Sequence, residues 1–171
     1  QLFGHVSERT QQSLASAESS AVESWRLVNQ SNAGFISLLR DPGAKSRIGH
    51  NQLVAVRRRT GRMFSPGLIQ WLRLDEDNEL CVGVRLFPGA TQAVAVRPTN
   101  FVAPAAGKGF ERGLLSADLS EPATPATLVL PSGWYEAGRL VEIHGDQKQV
   151  AKLVDLLEKG SDFERCTIAP A

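Results

Sequence analysis

The chain has 171 residues, 42% hydrophobic and 22% charged, and its 19 basic against 18 acidic side chains leave a net charge of +1. That length suits one ordinary domain or two small ones, with enough apolar material for a packed core. The balance of charge excludes a strongly basic coat for a nucleic-acid polymer and an acidic disordered tail, and no apolar run approaches the ~18–20 residues of a transmembrane helix.

Residues 1–24 are polar and small, rich in Ser, Gln and Ala, with Leu14 and Val22 as the large apolar residues from Glu8 onward. They predict a weak helix or an extended arm with little stability of its own. The start QLFGHVSERTQQ lacks the apolar core of a signal peptide, and Gln1 in place of Met is expected of a fragment of a longer protein.

Residues 25–98 change texture. WRLVNQ, GFISLL, QLVAVRRR, GLIQWLRL, ELCVGVRLF and AVAVR are short β-prone runs, separated by turn signals such as QSNAG, DPGAKSRIG and DEDN. With no helical period between them, they predict an antiparallel six-stranded β-barrel, since closure removes the exposed edges of a sheet. Residues 99–126, rich in Pro, Gly and Ala, read as a long connection with a turn of structure at ERGLLS.

Residues 127–171 predict a second, small β-rich lobe: strands at TLVLP, RLVEIH and FERCTI, with one possible short helix at KQVAKLVDLLEKG. There Val150, Leu153, Val154 and Leu157 recur at helical spacing, although a strand through QVAKLV stays open. Trp134 and Tyr135 are either an exposed contact or turn aromatics packed back on the core. The fold class is therefore mainly β.

Chemistry is sparse. His5, His50 and His144 are scattered, there is no HExxH, GxSxG or GxGxxG, and the cysteine spacing carries no metal signature. PGAKS has Ala44 where a phosphate loop needs Gly, and reads as a plain turn. Neither an enzyme, nor a metal, nor a resident cofactor is expected. Cys81 and Cys166 predict buried thiols in a reducing cytosol, with a disulfide as the lesser alternative, and the localisation expected is cytoplasmic.

Two features remain. Asn29 to Gly34, NQSNAG, stands between two strands, and the Arg57-Arg58-Arg59 run ends another. On a continuing strand Arg57 and Arg59 share a face, and paired guanidinium forks suit a phosphate or the O6/N7 edge of guanine; a solvated hairpin end is the plainer reading. In NQSNAG the Asn and Ser side chains suit a turn, and Gly34 permits a positive φ or a close ligand approach.

Asn29-x-Ser31-x-x-Gly34 resembles the [D/N]-x-S-x-x-G motif of PilZ domains, bacterial receptors of cyclic di-GMP, and CVGVRLF resembles a strand of that family. The resemblance spans about residues 25–98. It implies a PilZ-like barrel and a non-catalytic module with cyclic di-GMP as candidate ligand. The upstream R-x-x-x-R motif departs from the pattern: His5-Val6-Ser7-Glu8-Arg9 puts His in the first arginine place. The implied ligand-binding residues are Arg9, Asn29, Ser31 and Gly34, with Arg57 and Arg59 as further cations. The alternative is a degenerate PilZ-like domain that binds no nucleotide and acts as a protein–protein adaptor; a protein partner is expected on either reading.

Overall fold

The computed structural model describes residues 22–61, 63–99, 109–117 and 125–171. Among them are eleven strands and no helix. In chain order these are β1 (Arg26–Gln30), β2 (Phe35–Leu39), β3 (Leu53–Val56), β4 (Ser65–Leu74), β5 (Leu80–Leu86), β6 (Ala90–Pro98), β7 (Glu111–Ala117), β8 (Thr127–Pro131), β9 (Leu140–His144), β10 (Lys148–Lys159) and β11 (Phe163–Pro170). The first five form an open sheet in the order β1-β2-β5-β4-β3, and the last six close into a barrel in the order β10-β11-β8-β7-β6-β9. None of the described residues lies in a helix long and apolar enough to cross a membrane.

The mainly β class, the closed six-stranded antiparallel barrel and the second β unit agree with the sequence reading. Their order along the chain does not. The six-stranded barrel expected at 25–98 is a five-stranded sheet there, because AVAVR leaves it. As β6, that run pairs with β7 from Ala90↔Ala117 to Val96↔Glu111, and with β9 from Ala95↔His144 to Pro98↔Val141. Alternation says that a strand has one buried face; it does not say in which sheet.

Two further expectations are corrected. ERGLLS is a full barrel strand, β7, within the stretch read as a connection. KQVAKLVDLLEK is the 12-residue strand β10 rather than a helix. Its pairing with β11 shifts register between Leu153 and Leu156 and again between Leu156 and Glu158, so bulges break the period of two and give apolar spacings that imitate a helical one. The arm, with His5 and Arg9, lies outside the described residues apart from residues 22–24.

The barrel core holds Val96, Leu128, Val141, Ile143, Leu153 and Cys166, all without exposed surface. The sheet buries one face: Ile36, Val84 and Ile69 form one cross-strand row, and Leu38, Val82 and Leu72 the next. Trp25 near one edge and Val54 and Val56 on the other pack on that same core, so the sheet is rolled. An Arg58 Nη2 donor to Gln30 Oε1, at 2.7 Å, ties the end of one edge to the end of the other.

At its start the sheet is held by Glu23, which accepts from Arg40 Nε and Nη2, both at 2.9 Å, from Trp25 Nε1 at 2.8 Å, and from Ser46. A third cluster joins sheet to barrel: Leu68 and Phe87 on one side, Val129 and Phe163 on the other, with the two phenyl rings 6.0 Å apart. Beside it the Glu158 carboxylate on β10 accepts from Arg85 of β5 and lies 3.5 Å from Arg165 of β11.

Candidate functional site

The NQSNAG segment closes the β1–β2 hairpin. Ser31 N–H donates to the Phe35 carbonyl at 2.8 Å, Phe35 N–H donates to Ser31 Oγ at 3.2 Å, and Gly34 takes φ +81°. A side chain is strained in that left-handed conformation, and Gly34 is further fixed by its carbonyl, which accepts from Leu86 N–H at 2.8 Å. Asn29 Oδ1 accepts from Gln30 N–H at 2.7 Å. Each motif residue thus has a local task. Groups still remain for a ligand: the Asn29 amide keeps its two N–H donors, and the Ser31 hydroxyl keeps its own hydrogen.

The register places these groups beside a larger feature. Asn29 pairs with Ser37, Ser37 with Gly83, and Gly83 with Trp71, so one row crosses four strands on the face of the sheet opposite its core. Gly83 is required there by Trp71. A Cβ at position 83 would stand 2.0 Å from Trp71 Cε2 and 2.2 Å from Nε1, so the indole lies directly against the β5 backbone. Trp71 is still 37% exposed, and the Arg73 guanidinium sits 5.3 Å from its ring centroid.

Asn29, Gln30, Ser31, Phe35, Ile36, Ser37, Trp71 and Gly83 line an open, largely apolar cleft of about 170 Å³. Whole sites for drug-sized ligands run to ~300–1,000 Å³, so the cleft has room for one ring system, with the rest of any larger ligand lying outside it.

Of the residues singled out by sequence, Asn29 and Ser31 line this cleft, and Gly34 shapes the turn beside it. The arginine run is arranged differently from the shared-face expectation. β3 ends at Val56, so Arg57 and Arg59 lie in the turn beyond it, where a strand's alternation of faces no longer applies. Arg57 stacks over Phe64, 5.2 Å from its centroid, and Arg59 is exposed. Arg58, between them, reaches the rim of the cleft through Gln30.

Sequence reading missed Trp71, Gly83 and Arg73. The available signal was a glycine in the middle of a strongly apolar strand, which marks a close approach by another group. Among the described residues no cluster of His, Cys, Asp and Glu could hold a metal ion. Cys81 and Cys166 are both buried free thiols, and burial, with Glu164 as a second cause, pushes the Cys166 thiol up to about 11.

A second, wider cavity of about 550 Å³ lies at the barrel loop that contains Trp134, Glu136 and Arg139. That loop is held from below. The buried Glu164 carboxylate accepts from Tyr135 N–H at 2.8 Å, and the Tyr135 hydroxyl donates to the Val154 carbonyl at 2.8 Å. Burial opposes ionisation of the Glu164 carboxyl, but bonds from Tyr135 and Gly133 N–H, the Lys159 charge and a bond from Trp134 N–H together keep it below its usual range. Tyr135 is accordingly packed back on the barrel.

No curated protein and no solved structure matches the chain. Residues 94–170 are similar to a protein family described as the FimW C-terminal beta-barrel domain. That stretch runs from Val94 on β6 to the end of β11, so the likeness belongs to the closed barrel and not to the sheet that carries the Asn29 motif.

Proposed function

We propose that the chain is a non-catalytic, pilus-related regulatory module whose N-terminal sheet binds cyclic di-GMP. The barrel's similarity to the FimW C-terminal beta-barrel domain supports the regulatory half of this reading. The observation that carries the ligand half is the Asn29–Ser31–Gly34 turn opening onto a cleft walled by an exposed indole. The Asn29 amide and Ser31 hydroxyl offer donors to guanine O6 and N7 or to a phosphate, while the indole offers a face to the base. Arg9 is assigned to phosphate and guanine by the family resemblance. Two free thiols and a ligand of this kind favour the cytosol as its place of work.

Calorimetry with cyclic di-GMP, with GTP as control, tests the reading; saturable binding of the first and not the second is expected. Absence of heat at high micromolar ligand rejects it in favour of a protein–protein adaptor. That second reading has its own support. Among the described residues β1 is an edge strand whose five residues are all exposed, with Leu27 at 54% and Val28 at 57%. An edge of this kind accepts a partner strand.

A further inference from the structure

The outer face of the barrel carries a pattern of its own. Val94, Val96, Val141, Ile143, Ala151 and Leu153 point into the core, so the residues alternating with them on β6, β9 and β10 point outward. Register joins these into rows. Arg112 pairs with Ala95, Ala95 with His144 and His144 with Lys148. Beside that row Arg97 pairs with Glu142 and Glu142 with Val150, and beyond it Leu140 pairs with Lys152. Among the described residues of these rows, Arg97, Arg112, Lys148 and Lys152 stand against one carboxylate, Glu142, on a chain whose net charge is only +1. Asp146, in the turn between β9 and β10, bounds the patch at one end.

Two apolar groups complete the surface. Phe110, just before β7, is 43% exposed, and its ring lies 4.5 Å from the His144 ring and 4.8 Å from the Arg97 guanidinium. Val150 is 41% exposed. Glu142 accepts from Arg97 at 2.8 and 3.1 Å and lies 3.3 Å from Lys148 Nζ. Side chains already held by one another lose less freedom when a partner arrives.

We propose that this face of the barrel docks an acidic protein segment that carries an apolar side chain. The segment's carboxylates lie on Lys148, Lys152 and their neighbours, and its apolar side chain lies against Phe110 and Val150. An anionic membrane or a nucleic acid is negative throughout, and Glu142 in the middle of the patch repels it. A polypeptide can set a backbone N–H on Glu142 and place its carboxylates on the cations around it. A closed barrel offers no free strand edge, so recognition here is by side chains, unlike strand addition at β1. The proposal is independent of the nucleotide reading of the sheet.

Fluorescence anisotropy with the full chain and three labelled peptides tests it: one alternating Glu and Leu, one alternating Lys and Leu, and one alternating Glu and Ser. Saturable binding of the Glu–Leu peptide is expected, with weaker binding of the Glu–Ser peptide and none of the Lys–Leu peptide. Phe110→Ser should weaken Glu–Leu binding by about tenfold, the loss of one aromatic anchor. Lys148→Glu and Lys152→Glu should each weaken it by about three- to tenfold at low salt, and by less at high salt, where screening has already removed much of the attraction. Both lysines are exposed, so their variants keep the test decisive if Phe110→Ser melts early. Absence of Glu–Leu binding at high micromolar peptide, equal binding of the Lys–Leu peptide, or unchanged affinity in both lysine variants overturns the proposal. Phosphatidylserine vesicles, with phosphatidylcholine as control, and a single-stranded oligonucleotide stand for the other occupants. Tighter binding of either than of the Glu–Leu peptide, lost in the same lysine variants, overturns it too and gives the patch to lipid or to nucleic acid.

Discussion

The two units of this chain are built from similar strands and have opposite surfaces. In the barrel every strand has a neighbour on both sides, and the core is closed. Among the described residues, β1 and β3 of the sheet each pair on one side only; β1 is wholly exposed, and an indole and a phenyl group, Trp71 and Phe35, stand on the outer face. Closure removes the edges on which recognition could act, and openness keeps them. On the function proposed above, the barrel is the scaffold and the sheet the reader. The joint between them adds a constraint, because β5 supplies Gly83 to the cleft and, two residues along the same face, Arg85 to the joint.

The sharpest way to break this contrast is at the joint. Phe163 is 2% exposed and packs against Phe87, Leu68 and Val129. Phe163→Ala should cost about 3–5 kcal/mol in chemical denaturation, as other buried Phe truncations do. A single shared transition is expected; two separate transitions in the parent would show that sheet and barrel fold independently.

Glu158→Ala should follow, at about 3 kcal/mol. It removes the carboxylate that faces both Arg85 and Arg165 and leaves Arg165, 9% exposed at its side chain, with a buried charge. Its physical signature is directional. Limited proteolysis should release the sheet while the barrel fragment persists, and indiscriminate digestion of both would mean that the joint does not hold the sheet. Arg165 also bonds Thr127 and stacks on Phe87, 4.6 Å from its centroid, so Arg165→Lys should not restore the loss in a double variant.

A carboxylate in each unit gives the contrast a pH axis. The Arg40 guanidinium, with Ser46 and Trp25, holds Glu23 of the sheet down to about 2; His144, then Arg97 and Lys148, hold Glu142 of the barrel down to about 2. Both values are depressed from an ordinary 4.5. Each contribution is therefore fully present above pH 4.5 and is lost as pH falls towards 2. Glu23→Gln should cost about 2 kcal/mol at pH 7, the scale of a charge-assisted hydrogen bond, and should flatten the acid limb of the stability curve. Glu142→Gln should flatten that limb as well, and a variant whose acid limb matches the parent would show that its carboxylate is not coupled to folding.

The fold was legible where alternation and turn chemistry agree. RLVNQ, FISLL, TLVLP and LVEIH are strands where their β-branched and leucine runs put them. The assignment of AVAVR to a barrel and not to the sheet was not legible, since partners are chosen by packing between distant segments. The strand at KQVAKLVDLLEK was masked by two bulges. At the cleft, the Asn29–Gly34 pattern announced a turn, and a turn is what its hydrogen bonds build. Trp71 and Gly83 carry no short motif, because the relation between them is a cross-strand pairing of residues 12 positions apart.

The smallest expected effect separates the two tasks of the turn. Ser31 Oγ accepts from Phe35 N–H at 3.2 Å on an exposed loop, where water can replace it. Ser31→Ala should therefore cost no more than about 0.5–1 kcal/mol, the net worth of an ordinary hydrogen bond. Asn29→Ala should cost still less, since its side-chain acceptor bonds only the adjacent exposed N–H. If the cleft reads a nucleotide, the same two changes should weaken cyclic di-GMP binding by about tenfold each, because a donor facing the ligand is lost while the hairpin stays folded. Parallel melting and titration of the two variants decides between them. A drop in affinity with nearly constant stability assigns the residues to the ligand, and a drop in stability with unchanged affinity assigns them to the hairpin alone.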